Sequence, residues 1–135
     1  MKSIPTTVSF GPRSAEDHAR HDAANVDFIR QMREYREECQ AVISQGEPAL
    51  IRLVEVAKND TGQSLKIRRF LLGLYNGYDN PFDLTQLRGL DKLLFEDCMS
   101  VLRLDARVTA QEVHCYVHDG DALFESWALD ARGKS

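Results

Sequence analysis

The sequence predicts an all-α protein, a compact bundle of five or six helices led by a long N-terminal helix. Three observations carry this reading. Apolar residues recur three and four positions apart in most segments after residue 15, which is the period of a helix face. No segment alternates apolar and polar residues between hairpin turns; "VHCYVH" comes nearest and alternates imperfectly. Asp or Thr followed three positions on by Gln or Glu, together with Gly and Pro, punctuates the chain where helices should start and stop.

Residues 1–14 contain Pro5, Gly11, Pro12 and several Ser and Thr, and read as a flexible tail. Residues 15–45 read as one amphipathic helix. Its Phe28, Met32, Tyr35, Cys39 and Val42 are spaced 4, 3, 4 and 3, so they fall on one narrow stripe in an otherwise charged surface. The stripe is short for a coiled coil. It suits docking either on the chain's own core or on a second copy. Gly46 is expected to end this helix and Pro48 to open the next, over 48–58, which is apolar on most sides. Residues 46–129 form the expected helical domain.

The stretch "NDTGQSLKIRRF" starts another helix, over 61–77. Asp60 is the expected cap, Gln63 its reciprocal partner, and Gly62 the tight turn. Ile67, Phe70, Leu71, Leu74 and Tyr78 share one face, while Leu65 and Leu72 lie almost opposite. A helix with two apolar faces is sandwiched in a core or reserves one face for a partner. Gly77 is the expected C-cap. Asp83 and Asp91 are expected to cap two further pieces, the second carrying Leu93, Leu94, Cys98, Val101 and Leu102 inward. Thr109 with Glu112 should open a helix near 110–117. Asp121 should cap the last, which carries Leu123, Phe124 and Trp127 and frays over 130–135.

Composition bounds the partners. The 135 residues suit one domain able to bury a core without disulfides, with 43% apolar and 28% charged residues. The net charge of −4 gives no bulk attraction to nucleic acid or anionic lipid. Acidity gathers in residues 105–135, which hold 3 basic and 6 acidic side chains. Cys39, Cys98 and Cys115 have no paired spacing, so a reducing cytoplasm is expected rather than a disulfide framework. The N-terminus lacks the apolar segment of a secretory signal, and the run "FLLGLY" is far too short to span a bilayer.

Motifs for chemistry are sparse. Asp60-Thr61-Gly62 matches the aspartic-protease triplet, but such a site needs strands and a second carboxylate, and helical sequence flanks this one. Lys66, Arg68 and Arg69 near a helix start could attract an anion or nucleic acid, though the P-loop pattern is missing. His114 and His118, four apart, are weak metal candidates without a His-Glu-x-x-His or Cys-x-x-Cys pattern. The three cysteines sit among apolar neighbours, and no nucleophile elbow is present. "LTQLRGLDKLLFEDC" is a loose match to helix-turn-helix, with an acidic second helix.

Residues 47–129 resemble a family of small, uncharacterised bacterial proteins often carried on plasmids, integrative elements and phages. The likeness lies in "DTGQS", "FLLGLYN", "FDLTQLRGLD" and the closing helix with Trp127. It implies a bacterial cytoplasm and a mobile element, and no activity. The expectation is a non-catalytic interaction or regulatory accessory protein, with a counter-defence role among the possibilities the resemblance suggests. Phe28, Met32, Tyr35, Val42, Leu65 and Leu72 are the candidate partner-binding residues. A protein partner is expected, as is a homodimer through the N-terminal helix; no cofactor, membrane or nucleic acid is. The alternatives are a nucleic-acid-associated regulator using Lys66, Arg68 and Arg69, and a metal-dependent enzyme.

Overall fold

The computed structural model describes residues 14–133, and among them there are four α-helices, two 3-10 segments and one π turn, with no strand. The helices are α1 (Ala15–Ala57), α2 (Gly62–Tyr75), α3 (Lys92–Arg103) and α4 (Gly120–Gly133). The 3-10 segments span Leu84–Gly89 and Val113–Tyr116, and the π turn spans Leu104–Val108. The all-α expectation with a long N-terminal helix holds. The expected tail lies almost wholly in residues 1–13, outside the described residues. The chain divides into two compact units, Met1–Glu38 and Cys39–Ser135.

In the first unit, Ser14 and Asp17 start α1 with a reciprocal box. Ser14 Oγ accepts from the Asp17 N–H at 3.1 Å, and Asp17 Oδ2 accepts from the Ser14 N–H at 3.3 Å. Pairs three apart follow the helix surface, Arg20 with Asp17 and Arg30 with Asp27. Every side chain over 14–38 is exposed, Phe28, Met32 and Tyr35 included.

The second unit holds the core. Leu50, Leu53 and Ala57 of α1 pack with Ile67 and Leu71 of α2, Cys98 and Val101 of α3, Leu104, Val113, and Phe124 of α4. The expected break at Gly46 and Pro48 does not occur, and α1 runs through both. Gly46 is buried. A Cβ there would come within 2.7 Å of Leu104 Cβ and 3.2 Å of the Ser100 carbonyl, so this glycine permits close helix packing and caps nothing. Pro48 removes one N–H from the α1 ladder. It sits on the exposed side of the helix, where water can satisfy the orphaned carbonyl, while Ala49 and Leu50 beside it are buried.

The start of α2 also differs from expectation. Thr61, not Asp60, is the N-cap: its Oγ1 accepts from the Ser64 N–H at 3.0 Å and contacts Ser64 Oγ at 2.7 Å. With the cap one residue later, the reciprocal position falls on Ser64. Gln63 turns away, and its Oε1 accepts from the Asp91 N–H at 2.8 Å, tying α2 to the head of α3. At the other end Asn76 is the C-cap, one residue before Gly77, and donates to Leu72 O at 2.8 Å. Asp83 caps the first 3-10 segment and Asp91 caps α3, both as expected.

Arg52 and Asp97 join α1 to α3 through two bonds of 3.0 and 2.8 Å. Beyond the π turn, Thr109 adopts a left-handed conformation (φ 50°) and bonds Val108 O, so it opens no helix; 3-10 Val113–Tyr116 replaces the expected α-helix. Gly120 lies against the His114 carbonyl where a Cβ would collide. α4 continues to Gly133, through positions expected to fray, and residues 134–135 lie outside the described residues.

Candidate functional site

Where α2 faces α4, a groove opens on the second unit. Its first hollow, about 260 Å³, is lined by Leu65, Arg68, Arg69 and Leu72 of α2 and by Trp127, Asp130 and Ala131 of α4. A second hollow of about 290 Å³ shares Arg69, Leu72 and Ala131, and adds Asp79, Asn80, Pro81 and Arg132. The walls are apolar because α2 carries a second apolar face. Leu65 and Leu72, separated by seven residues, stack two turns apart on it.

The sequence marks Leu65 and Leu72 as candidate partner-binding residues on a second apolar face of this helix, one that is either sandwiched in the core or reserved for a partner. Leu65 is half-buried, whereas Leu72 is only 2% exposed and belongs to the core, so it forms the floor of the groove. Trp127 is 5% exposed and packs on Phe124 with ring centroids 5.1 Å apart. Its place in the wall had no signal in the sequence beyond its apolar helix face.

The three cations of "KIRR" separate into three situations. Arg68 is bound internally: Nε and Nη2 donate to Ala57 O at 3.1 and 2.7 Å, and Nη2 also donates to Asn59 O at 3.0 Å. These carbonyls belong to the C-terminus of α1 and the turn after it, where a cation satisfies orphaned acceptors and suits the helix dipole. The guanidinium carbon lies 5.7 Å from the Trp127 ring centroid, a cation–π contact. Lys66 is half-buried, with its ammonium against Gly89. Arg69 alone is exposed, lines both hollows, and has no hydrogen bond or ion pair among the described residues. The anion or nucleic-acid candidates therefore do not form one open basic patch.

Val42, expected on the partner stripe, packs against the core instead. Phe28, Ile29 and Met32 line a shallow hollow with Arg33 and Arg36 in the first unit.

The histidines do not converge. His114 Nε2 pairs with Asp121 Oδ1 at 2.9 Å, while His118, on the turn, pairs with Asp119 at 3.2 Å. Among the described residues no group of three His, Cys, Asp or Glu is placed to hold a metal ion. Cys115 Sγ is 3.6 Å from His114 Nε2, which brings Cys, His and Asp together. The arrangement is wrong for a relay. Thiol and carboxylate share one ring nitrogen, whereas a triad places them on opposite nitrogens. His114 Nδ1 is buried without a partner, and the ring is edge-on to Tyr75 at 4.9 Å. Tyr75 OH donates to Glu125 at 2.8 Å, which raises its pKa. Cys98 is an inert core thiol, pushed up to about 12 by burial and then by Asp97.

A polar hollow of about 410 Å³, unsignalled in the sequence, is lined by Asp105, Thr109, Ala110, Gln111 and Glu112. Burial raises the Asp105 carboxyl, with Glu112 adding to it. Nearby, the Tyr116 hydroxyl is buried without a partner, and its pKa is raised by burial, then by Glu47 and Asp105.

No helix among the described residues is long and apolar enough to cross a membrane. Neither the curated proteins nor the solved structures contain a match to this chain. A family model does match, over residues 47–132, and that span covers the core, the 3-10 segments and both walls of the groove. The chain belongs to DUF7673, a family of unknown function.

Proposed function

We propose that this chain is a non-catalytic interaction protein that docks an apolar, acidic segment of a protein partner in the groove between α2 and α4. The observation that carries the reading is Arg69, an exposed cation with no hydrogen bond or ion pair among the described residues, set beside the apolar surfaces of Leu65, Leu72 and Trp127. Such a site offers a charge-assisted hydrogen bond next to apolar burial, the pairing that marks interface hot spots. A nucleic-acid role would need Lys66, Arg68 and Arg69 on one surface, and Arg68 is held by two carbonyls.

The proposed setting is the bacterial cytoplasm, with the protein an accessory or regulatory factor of a mobile element and counter-defence one task it would serve. The resemblance of residues 47–129 to proteins carried on such elements supports the setting, and three unpaired cysteines support a reducing compartment.

Peptide display against the full chain tests the docking. The expected outcome is enrichment of segments that join an aromatic or aliphatic residue to Asp or Glu. Arg69→Glu should weaken the best of them by tenfold or more, corresponding to about 1.5–3 kcal/mol for a hydrogen bond to a charged group. Enrichment without acidic residues, or binding indifferent to Arg69→Glu, would overturn the proposal.

A further inference from the structure

We infer that the segment of α1 in the first unit pairs antiparallel with the same segment of a second copy, about a two-fold axis near Arg30. The observation is a run of apolar side chains on a helix whose every residue over 14–38 is exposed. Phe28, Ile29, Met32 and Tyr35 are between 46% and 62% exposed. Phe28, Ile29 and Met32 form an apolar strip on a mostly charged helix, the pattern of a helix that covers that strip against another surface.

The area is of the right order. Aromatic side chains bury roughly 150–250 Å² each and aliphatic ones somewhat less, so four half-exposed ones offer on the order of 400 Å² per copy and about 800 Å² for the pair. That lies at the low end of interface sizes and fits a weak, reversible dimer.

The pattern of side chains chooses the second copy and its direction. Asn25, Phe28, Met32 and Tyr35 are spaced 3, 4 and 3, the phase of a helix–helix seam. An antiparallel axis near Arg30 sets Phe28 against Met32 of the second copy and Asn25 against Tyr35 of the second copy, each twice by symmetry. Beside the seam, Ile29 meets Ile29 of the second copy. Asp22 meets Arg36 of the second copy, so the flank is complementary in charge as well as in shape. The shallow hollow lined by Phe28, Ile29, Met32, Arg33 and Arg36 then receives a side chain of the other helix. Parallel in-register pairing does the opposite. It faces His18 with His18 and His21 with His21 in the seam, and brings Asp17 toward Asp22 of the second copy.

Sedimentation of the full chain over a range of concentrations tests pairing. A reversible monomer–dimer equilibrium is expected, weakened tenfold or more by Met32→Glu with helix content kept. Asp22→Arg should weaken it, and adding Arg36→Asp should restore it. Ile29→Cys lies at the axis and should give an oxidised covalent dimer in higher yield than the unsubstituted chain. A monomer at every concentration, or a dimer indifferent to Met32→Glu, would overturn the pairing. Failure of both the charge swap and the Ile29→Cys cross-link would overturn its direction.

Discussion

Arg68 donates to the carbonyls of Ala57 and Asn59 and lies over Trp127, so one side chain satisfies the end of α1 and fixes a wall of the groove. In the sequence it is indistinguishable from Arg69, its neighbour. The difference arises because successive helical residues point about 100° apart, and only Arg68 faces the end of α1. The same limit applies to the cap of α2. Asp60 and Thr61 are both good caps, and the choice between them rests on Ser64 and Gln63, whose partners are set by tertiary structure. Asp105 could not be read at all, since its surroundings come from the turn after α3. Its raised pKa has a definite sign. The folded state holds the proton more tightly than the unfolded chain, so stability rises as pH falls through the raised value toward the ordinary carboxylate range. At neutral pH the ionised group is a net cost. Asp105→Asn should therefore stabilise the protein at neutral pH and flatten that part of the acid profile; urea unfolding at neutral and mildly acidic pH checks both.

At the scale of elements, the helix periods were legible because a buried face leaves a 3–4 pattern that needs no tertiary information. α2, α3 and α4 were readable in this way. The junction at Gly46 and Pro48 was misread because glycine and proline carry two messages. They end helices, and they also mark close approach and a tolerated missing N–H. Leu104, far away in sequence, decides between them. Gly46→Ala tests this with an informative sign. Helix propensity alone would stabilise by about 1 kcal/mol. Contact with Leu104 Cβ and the Ser100 carbonyl should instead destabilise by about 1–3 kcal/mol, the usual cost of overpacking. Combining Gly46→Ala with Leu104→Ala should cost less than the sum of the two single changes, as measured by chemical denaturation.

For the whole molecule, the fold class followed from composition and period. The groove did not, because its two walls come from segments far apart in the chain and neither carries a motif. Half of it was visible as the second apolar face of α2, without the helix that would cover its edge. Among the described residues, all those buried in the core lie within the unit Cys39–Ser135, and the family match falls inside it. A chain beginning at residue 39 should therefore unfold cooperatively with a midpoint close to that of the full chain, as followed by circular dichroism during heating. A broad, non-cooperative transition would show that the first unit contributes to the core after all.

Trp127 is the chain's single tryptophan, and it stands in the groove wall with a guanidinium over its ring. Indole emission from this protein thus has one origin, and that origin is the proposed docking surface. A segment settling beside Leu65 and Arg69 changes the polarity and the charge around the indole, and the change is readable as a shift in colour or intensity without any attached dye.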